Sequence, residues 1–144
     1  MGSKTIANPT GAFGYSTLDQ QGWNETAPFV VSTAAVGAKQ LVQIDPAGNT
    51  CRVNTTTPNP LQIGITQNAA NVGQTVNVIV QGTASGVAYT GTAPAAGDVL
   101  IASGTTAGRV ATNNTPGLGQ SVGIAIGAGA GGVVDVWVTP KYLS

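Results

Sequence analysis

The chain has 144 residues and a formal net charge of zero, with five basic and five acidic side chains, no histidine and a single cysteine. Charged residues make up only 7% of it, far below the roughly 25% of an ordinary soluble domain. No cluster of Lys and Arg is present to neutralise phosphates, and no apolar run approaches the ~20 residues of a membrane helix. We therefore expect a single-domain protein with no nucleic-acid and no membrane partner.

Residues 1–34 differ from the rest of the chain and are predicted to form an irregular N-terminal arm. Aromatic side chains are concentrated there, and no alternation with a period of two runs through the segment. Aromatic residues bury a large area at low entropic cost and are enriched at interface hot spots. Either they contact a neighbouring subunit, or they cap the open end of the chain's own domain. The four residues concerned are Phe13, Tyr15, Trp23 and Phe29.

From Phe29 onward the chain is a series of short predicted strands separated by turns rich in Gly, Pro and Asn. "FVVSTAAV" is extended and apolar, and "KQLVQI", "DPAGN" and "TCRVNT" predict a hairpin over residues 40–54. "LQIGIT", "QTVNVIVQG" and "GVAYTGT" predict three further strands, the second with alternating valines on one face. "GDVLIAS" with "RVATN", and "QSVGIAIG" with "VVDVWVTP", predict two more hairpins.

The same order of features occurs twice. Residues 37–65 and 97–124 each contain a Gly, a strand, a turn with Ala-Gly, an Asn/Thr/Pro loop and an aliphatic-Gly-Ile motif, at an offset of 59 or 60 residues, and Val136 follows Val78 at an offset of 58. One such half would leave an apolar face and two strand edges uncovered. We therefore predict an all-β fold over 35–144, a small antiparallel β-barrel or sandwich built from two similar halves. The paired glycines Gly64 and Gly123 are expected where strands bend or backbones approach closely.

The sequence contains little that could support catalysis or bind a metal. The absence of histidine removes the Ser-His-Asp triad and most zinc sites, and Cys51 is expected to be a small strand residue. "GAGAGG" at 127–132 matches a dinucleotide-binding fingerprint formally, but a strand follows it where a helix is needed. We predict no catalytic residue, no cofactor and no metal site.

The strand and turn pattern over residues 37–140 resembles the small capsid decoration, or cement, proteins of tailed bacteriophages. The resemblance is carried by "IGITQNAANVGQTVNVIVQG", by the "GD-apolar" strand at "GDVLIAS" and by "VGIAIGAGAGGVVDVWV". It implies a non-enzymatic homotrimer on the outer surface of the mature head, where it would bind and stabilise adjacent major capsid protein subunits. Residues 35–144 would be the decoration domain, and the arm aromatics would contact the capsid or a neighbouring subunit.

Two other functions remain open from the residues alone. A carbohydrate-binding or receptor-binding β module of a phage tail or fibre would suit Thr/Asn-rich loops, with Trp23 or Trp137 stacking on a sugar ring. A hydrolase would need two of the scattered carboxylates to converge in a cleft; the candidates are Asp45, Asp98 and Asp135.

Overall fold

A computed structural model describes residues 24–56 and 61–139, and all of the regular structure within these ranges is β-strand. No helix long and apolar enough to cross a membrane occurs among them. The predicted all-β class is confirmed. The strands are β1 Glu25–Val31, β2 Leu41–Ile44, β3 Thr50–Val53, β4 Gln62–Thr66, β5 Thr75–Ala88, β6 Val99–Ala102, β7 Val110–Thr112, β8 Ser121–Ala125 and β9 Val133–Val138.

The first five strands close into a barrel in the order β1-β3-β2-β4-β5, and β5 pairs back onto β1. All of these pairings are antiparallel except β1 with β3, where Val31 lies opposite Cys51 in parallel register. The closing pair sets Phe29 opposite Val76. Closure leaves no strand edge uncovered within this half, which removes the liability that a lone sheet would carry.

The second half repeats this arrangement with the second part of β5 in place of β1. The order is β5-β9-β8-β6-β7, and a parallel bridge between Tyr89 and Val110 joins β7 back to the end of β5. The 14-residue strand β5 therefore belongs to both halves. Its first part pairs with β1 and β4, and its second part pairs with β9.

The two halves are equivalent residue by residue, so the predicted repeat is confirmed. Val42 lies opposite Gly64 in the first half as Leu100 lies opposite Gly123 in the second, and a register shift follows Val42 and Leu100 in both strands. These pairings fix the offset at 58 or 59 residues. The sequence alignment of Gly37 with Gly97 was therefore wrong by two positions.

Lys39 is the true counterpart of Gly97. Both residues have positive φ, 65° and 89°. Both also donate a backbone N–H over 2.8 Å to the end of the neighbouring strand, to the carbonyls of Thr66 and Ala125 respectively.

Two clusters of buried apolar side chains fill the molecule. One occupies the first barrel and contains Val42, Cys51, Val76 and Val78, among others. The larger one occupies the second barrel and also includes three side chains that point outward from the first. These three are Leu41, Ile65 and Ile79.

Gly64 and Gly123 occupy the position where two strands pass most closely. A Cβ built on Gly64 would overlap the carbonyl oxygen of Ile79, and one built on Gly123 would overlap that of Trp137. Ile79 and Trp137 are themselves equivalent, since they pair with Ile65 and Ile124. Both halves therefore need glycine here for the same steric reason.

The predicted boundary between arm and domain at residue 34 falls after a strand that the structure places in the first barrel. Glu25–Val31 form β1, which pairs with β5 over six positions. Part of the predicted arm is therefore integral to the barrel. Residues 1–23 lie outside the described residues.

Candidate interaction surfaces

In the joint between the two barrels, the outer surface of the first barrel packs against one open end of the second barrel, where Val122 and Val138 lie. Leu41 and Ile65 are fully buried and Ile79 nearly so, in one cluster with Val122 and Val138 of the second barrel. We call the face made by Leu41, Ile65 and Ile79 the side face of the first barrel.

Backbone hydrogen bonds hold this joint in register. The N–H of Leu41 donates to the carbonyl of Gly108 over 2.9 Å, and the N–H of Gly108 donates to the carbonyl of Asn54 over 3.1 Å. The side-chain Nε2 of Gln62 also donates to the carbonyl of Gln120. The turn before β7 and the start of β8 are thus fixed against the first barrel.

The equivalent face of the second barrel is partly exposed, with Val99 half-buried. Its residues are Val99, Ile124 and Trp137, the counterparts of Leu41, Ile65 and Ile79. Ile124 is 40% exposed and Trp137 38% exposed, while Ile65 and Ile79 are 0% and 5% exposed. We call this surface the side face of the second barrel.

The end of the first barrel is also less covered than its counterpart. Val122 and Val138 at the end of the second barrel are 4% and 1% exposed, whereas their equivalents Ile63 and Val80 are only partly buried. Leu61, which precedes β4, is 36% exposed.

Each of the three described aspartates has local hydrogen-bond partners of its own. Asp98 accepts from the backbone of Ala95 over 2.8 Å and from the Asn114 side chain over 3.1 Å, and these bonds lower its pKa. Asp135 accepts from the backbone N–H of Gly86 over 2.9 Å. The Asp98 contacts are typical of a turn carboxylate, whereas Asp135 lies within β9 and bonds across to β5.

Asp45 begins the turn between β2 and β3. Ser32 Oγ donates to its Oδ2 over 2.6 Å, and the N–H of Ala47 donates to Oδ1 over 2.9 Å. The Ser32 bond, the Ala47 bond and the Arg52 charge together hold the pKa of this carboxyl below its usual value, against a smaller opposing effect of burial. In the second half Thr90 and Ser103 form the equivalent contact, 2.5 Å between hydroxyl oxygens, with no ionisable group.

A depressed pKa in the folded state makes the contribution of Asp45 pH-dependent. It is fully present above the unfolded-state pKa of about 3.9 and is lost as the pH falls through the lower folded-state pKa. We expect Asp45→Asn to be less stable than wild type at pH 7, with the difference shrinking below about pH 4. Denaturant unfolding at a series of pH values measures this difference.

Thr90→Val is the matched control, because it removes the equivalent contact without a titrating group. Its destabilisation should be the same at every pH. A constant difference between wild type and Asp45→Asn down to pH 2 would contradict the assignment.

The predicted arm contacts can be located only in part. Phe13, Tyr15 and Trp23 lie outside the described residues. Phe29 is in β1 and packs against the core cluster of its own barrel. Its contact with a capsid or neighbouring subunit stays a prediction.

Trp137, named from the sequence only as a residue that could stack on a sugar ring, is an exposed aromatic of the second barrel. The alternation in "VVDVWV" was the available signal, because it puts Val133, Asp135 and Trp137 on one face of the strand, opposite the buried Val134, Val136 and Val138.

Other candidate chemistry is sparse in the part of the chain that the structure describes. No group of three or more Cys, Asp or Glu side chains that could hold a metal occurs there. Cys51 is buried in β3, and burial raises the pKa of its thiol. A shallow groove of about 360 Å³ is lined mainly by threonines and glycines, including Thr90, Thr105 and Thr112.

Comparison with known proteins gives a structural likeness without a family assignment. No family model matches the chain, and no curated protein sequence matches it. The fold is similar to the crystal structure of the N base of head fiber gp8.5 of bacteriophage phi29, with a TM-score of 0.56 and 15% sequence identity. The likeness covers 79% of this chain and 94% of that one. At this identity it establishes a shared fold.

Proposed function

We propose that this protein is a non-enzymatic structural component of a tailed-phage virion that binds the outer surface of the mature head. In that role it would act as a homotrimer and stabilise contacts between major capsid protein subunits. The observation that carries the proposal is the similarity of fold, over nearly the whole of that chain, to the base of a phage head fiber. The sequence resemblance to capsid decoration proteins points independently to the same setting.

The physical character of the chain supports this role. The two barrels share strand β5 and so make one scaffold, and the few charges leave binding to apolar and polar contacts. Three protomers joined together bind a shell with high effective concentration, so each contact need not be strong. A ligand that binds only the assembled shell also stabilises it by mass action.

The test is to mix the purified full-length chain with undecorated expanded heads and, separately, with unexpanded precursor shells of its own phage. We expect saturable co-sedimentation with expanded heads and a rise in their temperature of disruption. The unexpanded precursor shells are the control, and we expect no saturable binding to them. Failure to bind any mature head of that phage would contradict the proposal.

A second candidate is a carbohydrate-binding or receptor-binding module of a tail or fibre. It is favoured by one observation, the partly exposed indole of Trp137, since exposed aromatic faces can stack on sugars. This function predicts a change in tryptophan fluorescence on adding host polysaccharide, which Trp137→Phe would reduce. A head-binding protein would show no such change.

A further inference from the structure

We propose that the side face of the second barrel binds the end of the first barrel of another copy, so that copies assemble head to tail. The joint inside one chain supplies the template for this contact. There the side face of the first barrel is covered by the end of the second barrel. Among the described residues, the same two surfaces, exchanged between barrels, are only partly covered.

The side face of the second barrel has the chemistry of its covered counterpart. Val99, Ile124 and Trp137 take the places of Leu41, Ile65 and Ile79, so apolar residues are kept at all three positions. An exposed position next to this face is polar in both halves: Asn77 in β5 and its counterpart Asp135 in β9. Contiguous exposed apolar surface of this kind marks an interaction site, and an exposed tryptophan is a frequent anchor of one.

The end of the first barrel supplies the matching surface. Ile63 and Val80 are partly buried at positions equivalent to Val122 and Val138, which the internal joint buries. Leu61 corresponds to Gln120, whose carbonyl accepts the hydrogen bond of Gln62 across that joint. Each chain therefore presents both halves of one joint, on different barrels.

One difference from the internal joint makes the contact between copies weaker. The N–H of Leu41 is bonded to the Gly108 carbonyl of the second barrel, but the equivalent N–H of Val99 donates to the side chain of Asn114 over 2.8 Å. The backbone position that would join the next barrel is thus already occupied. The contact between copies rests on apolar side chains, which suits a reversible association.

A head-to-tail contact is heterologous and closes into a ring when the rotation between copies allows it. The inference thus specifies the surfaces through which the proposed homotrimer would form. In this respect it rests on the proposed function. Its test uses the purified chain without any shell, so failure to bind heads and failure to self-associate are separate results.

The first test is sedimentation velocity of the full-length chain over a concentration series. We expect an assembly of several copies for wild type and at least a tenfold weaker association for Trp137→Asp, with unchanged circular dichroism. Ile124→Asp provides a second disruption of the same face. Val72→Asp is the control, because Val72 is 53% exposed in the turn between β4 and β5, at the opposite end of β4 from Leu61, and it should assemble like wild type.

The second test separates head-to-tail from face-to-face association. Leu61→Asp blocks the end of the first barrel, and Trp137→Asp blocks the side face of the second. Each variant alone should be monomeric, whereas an equimolar mixture should give a one-to-one dimer through the remaining intact joint. A wild-type chain that stays monomeric throughout, a Leu61→Asp variant that assembles normally, or a mixture that gives no dimer would overturn the proposal.

Discussion

Gly64→Val is expected to lower the free energy of unfolding by at least about 3 kcal/mol, the upper end of what overpacking costs. A side chain at this position would collide with the carbonyl oxygen of Ile79. That oxygen belongs to backbone, which cannot rotate away as a flexible side chain could, so β4 and β5 would have to separate. Denaturant unfolding followed by circular dichroism measures the effect, which corresponds to a fall in Tm of roughly 6–12 °C.

Gly123→Val tests whether the same constraint operates in the second half. Its loss should be of similar size, because the obstruction is the equivalent carbonyl of Trp137. Gly127→Val is the matched control, since a Cβ there meets nothing within 4 Å. A Gly64→Val protein as stable as the Gly127→Val protein would show that the close approach of the strands is misplaced.

Ile65→Ala is expected to cost about 2–5 kcal/mol, the usual penalty for truncating a fully buried isoleucine. Ile65 is 0% exposed at the joint between the barrels. Its removal leaves a cavity between two rigid closed sheets, and such sheets cannot collapse easily to fill it. Equilibrium unfolding of the monomer gives the value.

Ile124→Ala is the control for this prediction, with the same residue type, the same substitution and the equivalent position in the second barrel. Because Ile124 is 40% exposed, the change should cost less than about 1 kcal/mol at concentrations where the chain is monomeric. Equal losses at the two sites would mean that the joint is not where the structure puts it.

The hairpins and the repeat could be predicted because local rules determine them. The turn at Asp45 carries Pro46 and Gly48, which suit a tight reversal, and alternating valines mark β5 and β9. The recurrence of an aliphatic-Gly-Ile motif at Gly64 and Gly123 indicated two similar halves. Each of these signals lies within a few residues of the structure that it predicts.

Long-range features could not be predicted in this way. The segments "QTVNVIVQG" and "GVAYTGT" predicted two strands, but residues 75–88 form one. The strand continues through Gly82, which adopts positive φ, and through a register shift between Ala84 and Val87. The first residues of β1 carry no alternation with a period of two, and their strand conformation is determined by pairing with β5; the predicted arm therefore includes them. Which apolar faces are buried also depends on what packs against them. Ile65 and Ile124 carry the same local sequence signal, yet they are 0% and 40% exposed because only Ile65 is covered by the other barrel.

Strand β5 gives the molecule a mechanical property. Its 14 residues run through both barrels without an intervening linker, and the register shift between Ala84 and Val87 bends the strand inside the second barrel. Tension applied along β5, between its two ends, would load in shear the hydrogen bonds that join it to β1 and β9, so that many must break together. The shared strand therefore couples the two barrels mechanically, since neither can move away from the other without breaking its pairing with β5.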